Sequence, residues 1–259
     1  MQKIGLGTYK HTGKNGADFI AKAIEVGYRL IDTADHYKNH NAVKRGIRIS
    51  GINREKIEIC TKVWREDLSY KSIVKSVDRF LNELKVDYID TVLIHWPNSN
   101  YNMQEAFGAL VQLKNKGVIK NSGVSNFTIR HLKQPVNVGL SIDYNQVEYH
   151  VSLNQKKLYE YCKNNEIKLM AHSGLGGGFD LDISKVIKLA KKYNVSSANI
   201  LYAFLIKNGI IPICGADNID QLIENYKSLN VNLSDKDFNA LNRLKIEKNR
   251  ILIKDYSEF

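Results

Sequence analysis

The chain alternates between two hydrophobic periods. Short apolar, β-branched runs occur at about 4–6, 29–32, 57–62, 89–95, 118–124, 140–147, 167–171 and 210–214. Between them, apolar residues recur three or four positions apart, as at Ile73, Val77, Phe80, Leu81 and Leu84. The same spacing marks Phe107, Leu110, Val111 and Leu113, closed by Gly117, and Leu158, Tyr161 and Cys162. The short runs predict strands, and the wider spacing predicts helices with one buried stripe. Strands alternating with amphipathic helices predict a parallel sheet. Eight such strands in 259 residues fit an α/β fold of the (β/α)8 or TIM-barrel type, one domain over 1–259. The competing arrangement, a doubly wound open sheet, ordinarily carries a G-x-G-x-x-G turn after its first strand. Here Gly5-Leu6-Gly7 continues into Thr8-Tyr9-Lys10 instead. Late helices are predicted over 219–229 and 235–245, with Ser234 as the N-cap of the second and Asp237 three residues on. The tail 251–259 is apolar enough to dock on the barrel.

Four polar residues stand at or just past the ends of these runs. Asp32 and Tyr37 follow Tyr28-Arg29-Leu30-Ile31, Lys62 follows Ile57-Glu58-Ile59-Cys60, and His95 follows Thr91-Val92-Leu93-Ile94. Strand C-termini of a parallel barrel converge on one face, where polar side chains read as catalytic. Taken singly, each has a plainer explanation: Asp32 caps a turn, Tyr37 starts a helix, Lys62 lies on the surface, His95 is a satisfied histidine. Four at consecutive strand ends make joint coincidence much harder to sustain. An acid, a phenol, an amine and an imidazole at one mouth suit protonation of an oxygen that gains negative charge. Tyr37 would donate the proton and Lys62, held by Asp32, would stabilise the phenolate. Lowering a phenol by two units from about 10 needs roughly 3 kcal/mol of differential stabilisation. His95 would polarise a carbonyl.

Composition narrows the setting. There is no apolar run of the length a membrane helix needs, and Met1-Gln2-Lys3-Ile4-Gly5-Leu6 lacks the order of a signal peptide. Cys60, Cys162 and Cys214 are scattered and form no C-x-x-C pair. Together these predict a cytoplasmic protein without disulfides or a metal site. The formal net charge is +11, but the lysines spread along helices, as at Lys185, Lys188, Lys191 and Lys192. That favours a solvated surface over a nucleic-acid footprint. A monomer acting on a small molecule, with no nucleic-acid or membrane partner, is expected.

Specific motifs run through nearly the whole chain. They are Gly5-Leu6-Gly7-Thr8, Gly27-Tyr28-Arg29-Leu30-Ile31-Asp32-Thr33-Ala34 leading to Tyr37, and Thr61-Lys62-Val63-Trp64. Further on come Asp87-Tyr88-Ile89-Asp90 with Leu93-Ile94-His95-Trp96-Pro97, Gly123-Val124-Ser125-Asn126-Phe127, and Asn145-Gln146-Val147-Glu148-Tyr149-His150. In these the sequence resembles the aldo-keto reductases. The resemblance implies NAD(P)H-dependent reduction of aldehydes or ketones, with Asp32, Tyr37, Lys62 and His95 as the catalytic tetrad and Tyr37 as proton donor. It implies nicotinamide contacts from Ser125, Asn126 and Gln146, with His172 where an aromatic residue usually stacks. It implies that Ser173, Leu175 and the Gly176-Gly177-Gly178 run, Gly177 included, wrap the pyrophosphate. The adenosine end falls to Gly215, Ala216, Asp217, Gln221, Glu224 and Asn225. Tyr9, Trp64, His95 and Trp96 would bound the substrate.

Several positions depart from the family pattern. His172 replaces the usual tyrosine, Gly174 replaces a common proline and predicts a looser loop, and His40 stands where glutamate is common. Residues 213–218 carry no cation, and Asp217 would repel a 2′-phosphate and accept from a ribose hydroxyl. The loop thus points to NAD(H) and the family to NADP(H), with NADP(H) placed ahead. Short substrate loops predict an open pocket. Two other readings stay open: a catalytically weak nicotinamide-nucleotide-binding regulatory protein on the same barrel, and a barrel aldolase with Lys62 as Schiff base.

Overall fold

The computed structural model describes residues 4–137, 141–244, 246 and 251. Eight parallel strands close into a barrel in chain order. They are β1 (Gly5–Gly7), β2 (Leu30–Asp32), β3 (Glu58–Val63), β4 (Ile89–Ile94), β5 (Ile119–Ser125), β6 (Tyr144–Glu148), β7 (Lys168–His172) and β8 (Ile211–Cys214). Helices cover the outside: α1 (Gly13–Val26), α2 (His40–Ser50), α3 (Tyr70–Leu84), α4 (Met103–Asn115), α5 (Ile129–Asn137) and α6 (Lys156–Asn164) follow the first six strands. Two helices, α7 (Ser184–Tyr193) and α8 (Ser197–Lys207), follow β7, and α9 (Ile219–Lys227) and α10 (Asp235–Asn242) follow β8. The barrel expected from the alternation is therefore present.

Several strand ends shift by a residue, and α9 ends at Lys227 rather than at 229. β6 begins at Tyr144 rather than near 140. Ile142 packs into the helix layer, and Asp143 turns its carboxylate back to accept the Ser122 N–H at 2.8 Å, which ends the ladder there. α10 ends at Asn242, and residue 245 lies outside the described residues, as do residues 252–259 of the tail. Ser234 does cap α10, accepting the Asp237 N–H at 3.2 Å.

α3 shows how the helical spacing operates. Ser69 accepts the Ser72 N–H at its start, and Ile73, Val77, Phe80 and Leu84 all bury against the barrel. Residues at i, i+3, i+4 share a face, so one stripe enters the core and the lysines stay outside. α1 and α2 pack more closely than this because Gly46 lacks a side chain. A Cβ there would meet Ile20 Cβ at 2.7 Å and the Ala17 carbonyl at 2.8 Å. Gly46→Val is expected to destabilise the fold by about 1–3 kcal/mol through overpacking. Gly108 in α4, where a Cβ would meet nothing within 4 Å, should gain about 0.4–1 kcal/mol as Gly108→Ala. Urea unfolding of the two variants checks the contrast.

Inside the barrel, a separate apolar layer is built from Leu30, Cys60, Leu93, Tyr144, Met170 and Ile213. Side chains along a strand alternate between faces, so the residue two positions further also points inward, one layer higher. Those residues are Asp32, Lys62, His95, Gln146, His172 and Gly215. Gly123 holds the apolar level on β5, with Leu93 Cδ2 within 2.7 Å of where its Cβ would stand, and Ser125 follows two later. The pleat alone therefore raises a polar layer on an apolar floor. Among the described residues, no helix is long and apolar enough to cross a membrane, and no group of three or more His, Cys, Asp or Glu is set to hold a metal ion. The three cysteines are buried and unbridged.

Candidate active site

The polar layer closes around an ion pair. Lys62, with no exposed surface, donates from Nζ to Asp32 Oδ1 at 2.6 Å and to the Thr33 carbonyl at 3.0 Å. Gln146 Nε2 donates to the other Asp32 oxygen at 2.7 Å. Burial pulls the Lys62 pKa down, but the charge and hydrogen bond of Asp32, with Tyr37 and Cys60 beside it, together outweigh burial, so the amine is held above its usual range as an ammonium. Lys62 Nζ lies 5.4 Å from the Tyr37 ring centroid.

Tyr37 sits in a single 3₁₀ turn, Asp35–Tyr37, after β2. Its ring meets Tyr9 edge-on at 5.1 Å and His95 at 5.8 Å. The phenol pKa departs from the expected lowering. Burial raises it, the Lys62 charge lowers it by less, and Asp32 adds a further rise, so the net shift is upward. Burial is the larger effect, and Asp32 offsets part of what Lys62 supplies. The phenol therefore stays protonated across physiological pH, which a proton donor requires.

His95 is neutral. Burial, reinforced by the Lys62 charge, holds its pKa well below the imidazole range. Its Nδ1 is buried without a hydrogen-bond partner, which leaves Nε2 as the nitrogen available to a ligand. Such a group can donate one hydrogen bond, and it carries no titration into the pH range where the enzyme would be assayed. Replacing His95 should leave the shape of a pH–rate profile between about pH 6 and 8 unchanged while lowering its height; a shifted limb would refute the neutral assignment.

A cavity of about 500 Å³ lies over these groups, lined by Tyr9, His36, Tyr37, Trp64, His95, Trp96, Ser125, Asn126, Gln146 and His172 among others. The aromatic walls expected from the sequence are therefore together. Trp96 is mostly buried, whereas Tyr9 is 64% exposed. His36 was not foreseen. It stacks on Trp64 with ring centroids 4.0 Å apart, and no motif signals a residue that acts as a wall by stacking.

Asn126 adopts a left-handed backbone, φ 63°. Its amide nitrogen donates to the His95 carbonyl at 3.0 Å and to Ser125 Oγ at 3.1 Å. That orientation turns Oδ1 toward His172 Nε2, 3.0 Å away, so Nε2 carries the proton. His40 has a role too: its ring nitrogens reach Glu83 Oε2 at 2.6 Å and Thr61 Oγ1 at 2.8 Å, linking α2 to α3 and to the neighbour of Lys62.

A second cleft of about 340 Å³ adjoins the first, lined by Tyr9, Lys10, Ser173, Leu175, Gly177, Gly178, Gly215, Ala216, Asp217 and Ile251 among others. Gly176, Gly177 and Gly178 have φ of 61°, 65° and 94°, a left-handed course that glycine adopts without strain; the Gly176 and Gly178 N–H groups donate to the Ser173 and Leu175 carbonyls and close the turn. A Cβ on Gly215 would meet nothing within 4 Å, so that side of the cleft is open. These features fit an extended dinucleotide. Gln221 and Asn225 hold the loop itself: Gln221 Oε1 accepts the Asp217 N–H at 2.8 Å, and Asn225, buried, donates to the Gly215 carbonyl at 3.1 Å.

Gly174 is buried, and a Cβ there would press on Leu205 at 2.9 Å and Tyr202 at 3.2 Å. Residues 213–218 carry no cation, but Lys10, on the loop after β1, donates to Asp217 Oδ1 at 2.8 Å from 207 positions away.

A family model described as the aldo/keto reductase family matches residues 3–246. The chain belongs to the aldo/keto reductase family. It is 36% identical to the glyoxal reductase of Bacillus subtilis (strain 168), over 94% of this chain and 89% of the relative. It is 32% identical to the methylglyoxal reductase DkgB of Escherichia coli O157:H7, over 92% and 91%. Among solved structures, an aldo-keto reductase from a Medee basin deep-sea metagenome library superposes with a TM-score of 0.90 at 32% identity, covering 99% of this chain and 97% of the other. A Bombyx mori aldo-keto reductase in complex with NADP does so with a TM-score of 0.91 at 27% identity, covering 100% and 94%. This aldo-keto reductase is thus an NAD(P)H-dependent oxidoreductase that reduces aldehydes or ketones.

Proposed function

We propose that this aldo-keto reductase reduces small aldehydes, α-oxoaldehydes such as glyoxal and methylglyoxal among them, with Tyr37 as general acid. The observation that carries the reading is a protonated phenol and a neutral imidazole on one cavity wall, with the Lys62–Asp32 pair buried behind the phenol. When bound, the nicotinamide supplies a hydride to the carbonyl carbon. Tyr37 gives its proton to the carbonyl oxygen as charge develops there, and His95 donates a hydrogen bond to the same oxygen. The Lys62 ammonium lies close enough to favour the phenolate as it forms, and Asp32 with Gln146 fixes the ammonium in place. Lys62 is not the nucleophile of an aldolase: a buried, ion-paired ammonium has no lone pair for a carbonyl. The relatives named for glyoxal and methylglyoxal support the substrate class, as does a cavity narrowed by Trp64, Trp96 and Tyr9.

Ser125, Asn126, Gln146 and His172 would receive the nicotinamide end, with Ser173, Leu175, Gly177, Gly215, Ala216 and Asp217 along the rest. NADP(H) is the cofactor put forward over NAD(H). Lys10 cancels the charge of Asp217, so a 2′-phosphate would not meet a bare carboxylate. Lys10→Ala should lower the NADPH-to-NADH ratio of kcat/KM a few-fold, since exposed charge pairs are weak and screened, and Asp217→Asn should raise it. Parallel assays of NADPH and NADH oxidation with glyoxal, methylglyoxal and aromatic aldehydes test the whole reading. No turnover with any of them would refute it.

A further inference from the structure

Behind the nucleotide cleft lies a buried polar cluster that the reaction above does not use. Glu148 ends β6, His150 and Ser152 follow it, and Asp180 reaches in from the turn Gly176–Asp182. His150 and Asp180 have no exposed side-chain surface, and Glu148 has almost none. His150 Nδ1 lies 3.1 Å from Asp180 Oδ2, and Nε2 lies 3.1 Å from Glu148 Oε1. Ser152 Oγ also lies 3.0 Å from Nδ1. Ionised carboxylates only accept hydrogen bonds, so a ring protonated on both nitrogens, an imidazolium, is the form that satisfies both carboxylates at once. Burial works against that charge, but the two carboxylates prevail, and the His150 pKa is raised. Ser152 adds its N–H and O–H as donors to Asp180.

Both ends of this bridge are attached to walls of the cleft. Asp180 belongs to the glycine turn: its N–H donates to the Leu175 carbonyl at 3.3 Å. The turn folds so tightly over the carboxylate that a Cβ on Gly176 would come within 2.5 Å of it. At the other end, the Glu148 oxygens accept the Ile251 N–H at 2.8 and 3.1 Å. The Ile251 side chain lines both cavities and stands over Gly177.

We propose that His150 is a positioning residue for the cofactor, an imidazolium clamp that ties the turn Gly176–Asp182 and Ile251 to the end of β6 and so holds two walls of the nucleotide cleft in place. The proposal rests on the reading of that cleft as the NAD(P)H site. The charged groups acting on His150 are Asp180 from the turn and Glu148 from β6. Because the folded pKa is raised, the clamp is complete below the ordinary imidazole value of about 6.5 and is lost as pH rises through the folded value. Above it, one ring nitrogen presents a lone pair to a carboxylate, and the bridge opens at that end.

The test compares wild type with His150→Gln in two measurements. The first is hydrogen exchange of amides 173–182 in the cofactor-free protein. The second is NADPH affinity by fluorescence titration from pH 6 to 9, with kcat and the KM for NADPH measured alongside. One lost hydrogen bond to a charged group corresponds to about tenfold or more, so His150→Gln should speed exchange and weaken NADPH binding by about that factor. It should raise KM for NADPH far more than it lowers kcat, and it should abolish the weakening of binding that wild type shows as pH rises. Unchanged exchange, unchanged affinity, or a pH dependence that survives in the variant would overturn the clamp. Asp180→Asn, which keeps shape but not charge, decides the matter by the same measurements should His150→Gln fail to fold. Wild type that binds no NADPH would instead refute the functional reading, and the exchange experiment would still decide whether His150 holds the turn.

Discussion

Tyr37→Phe is expected to lower kcat for aldehyde reduction by about 10²–10⁴-fold, the usual contribution of a positioned general acid. NADPH affinity should change little, because the ring and its contacts remain. The edge-on contacts with Tyr9 and His95 involve the ring rather than the hydroxyl, so the phenylalanine ring can take the same place. Only the donated proton is lost. An alkoxide forming in this cavity would then have the His95 hydrogen bond and no proton, which stabilises charge without neutralising it. Steady-state rates at saturating NADPH, with fluorescence titration of the cofactor, separate the two quantities. A variant that turned over like wild type would remove Tyr37 from the mechanism, and one that lost NADPH binding as well would make the residue part of the cofactor site.

Lys62→Met should be more damaging still, because it strikes stability and catalysis together. The side chain is wholly buried, and so is its partner Asp32. Breaking a buried pair by removing one member leaves an uncompensated charge, at a cost of about 3–5 kcal/mol. Gln146 would still donate to Asp32, but one neutral amide does not replace an ammonium. Denaturant unfolding of Lys62→Met should therefore show a stability loss of that size, and activity should be lost with it. The double variant Lys62→Met with Asp32→Leu should recover much of the stability and none of the activity. Equal stability of wild type and Lys62→Met would mean that the ion pair contributes nothing to the fold.

The candidate site was legible to an unusual degree because the barrel converts chain position into spatial position. A strand end is a place on one face, so Asp32, Lys62 and His95 could be grouped from their positions in the sequence. The two-residue pleat then explains why each follows an inward apolar residue, Leu30, Cys60 and Leu93. Tyr37 lies beyond its strand and was placed by its motif; its contacts depend on the turn Asp35–Tyr37. What sequence pattern could not reach were groups joined across long separations. Lys10 meets Asp217, His36 stacks on Trp64, and Ile251 meets Glu148, and no local spacing encodes any of them.

The same division applies to the electrostatics. Residue types and periodicity pointed to a parallel barrel, a polar mouth and four candidate groups for moving a proton to a carbonyl oxygen. Those conclusions depend on side-chain alternation and helical spacing, which are local properties. The protonation states depend on burial and on partners, which exist once the chain has closed. Lys62 by itself would acidify Tyr37, but burial together with the Asp32 charge raises the phenol instead. Asp217 stands alone in its loop by sequence, and in the fold it is paired with Lys10. His150, one residue in a motif, has its pKa raised because folding brings Asp180 to one side of it and Glu148 to the other. Short-range order is written in the chain, but each charge takes its value from neighbours that only the closed barrel brings near.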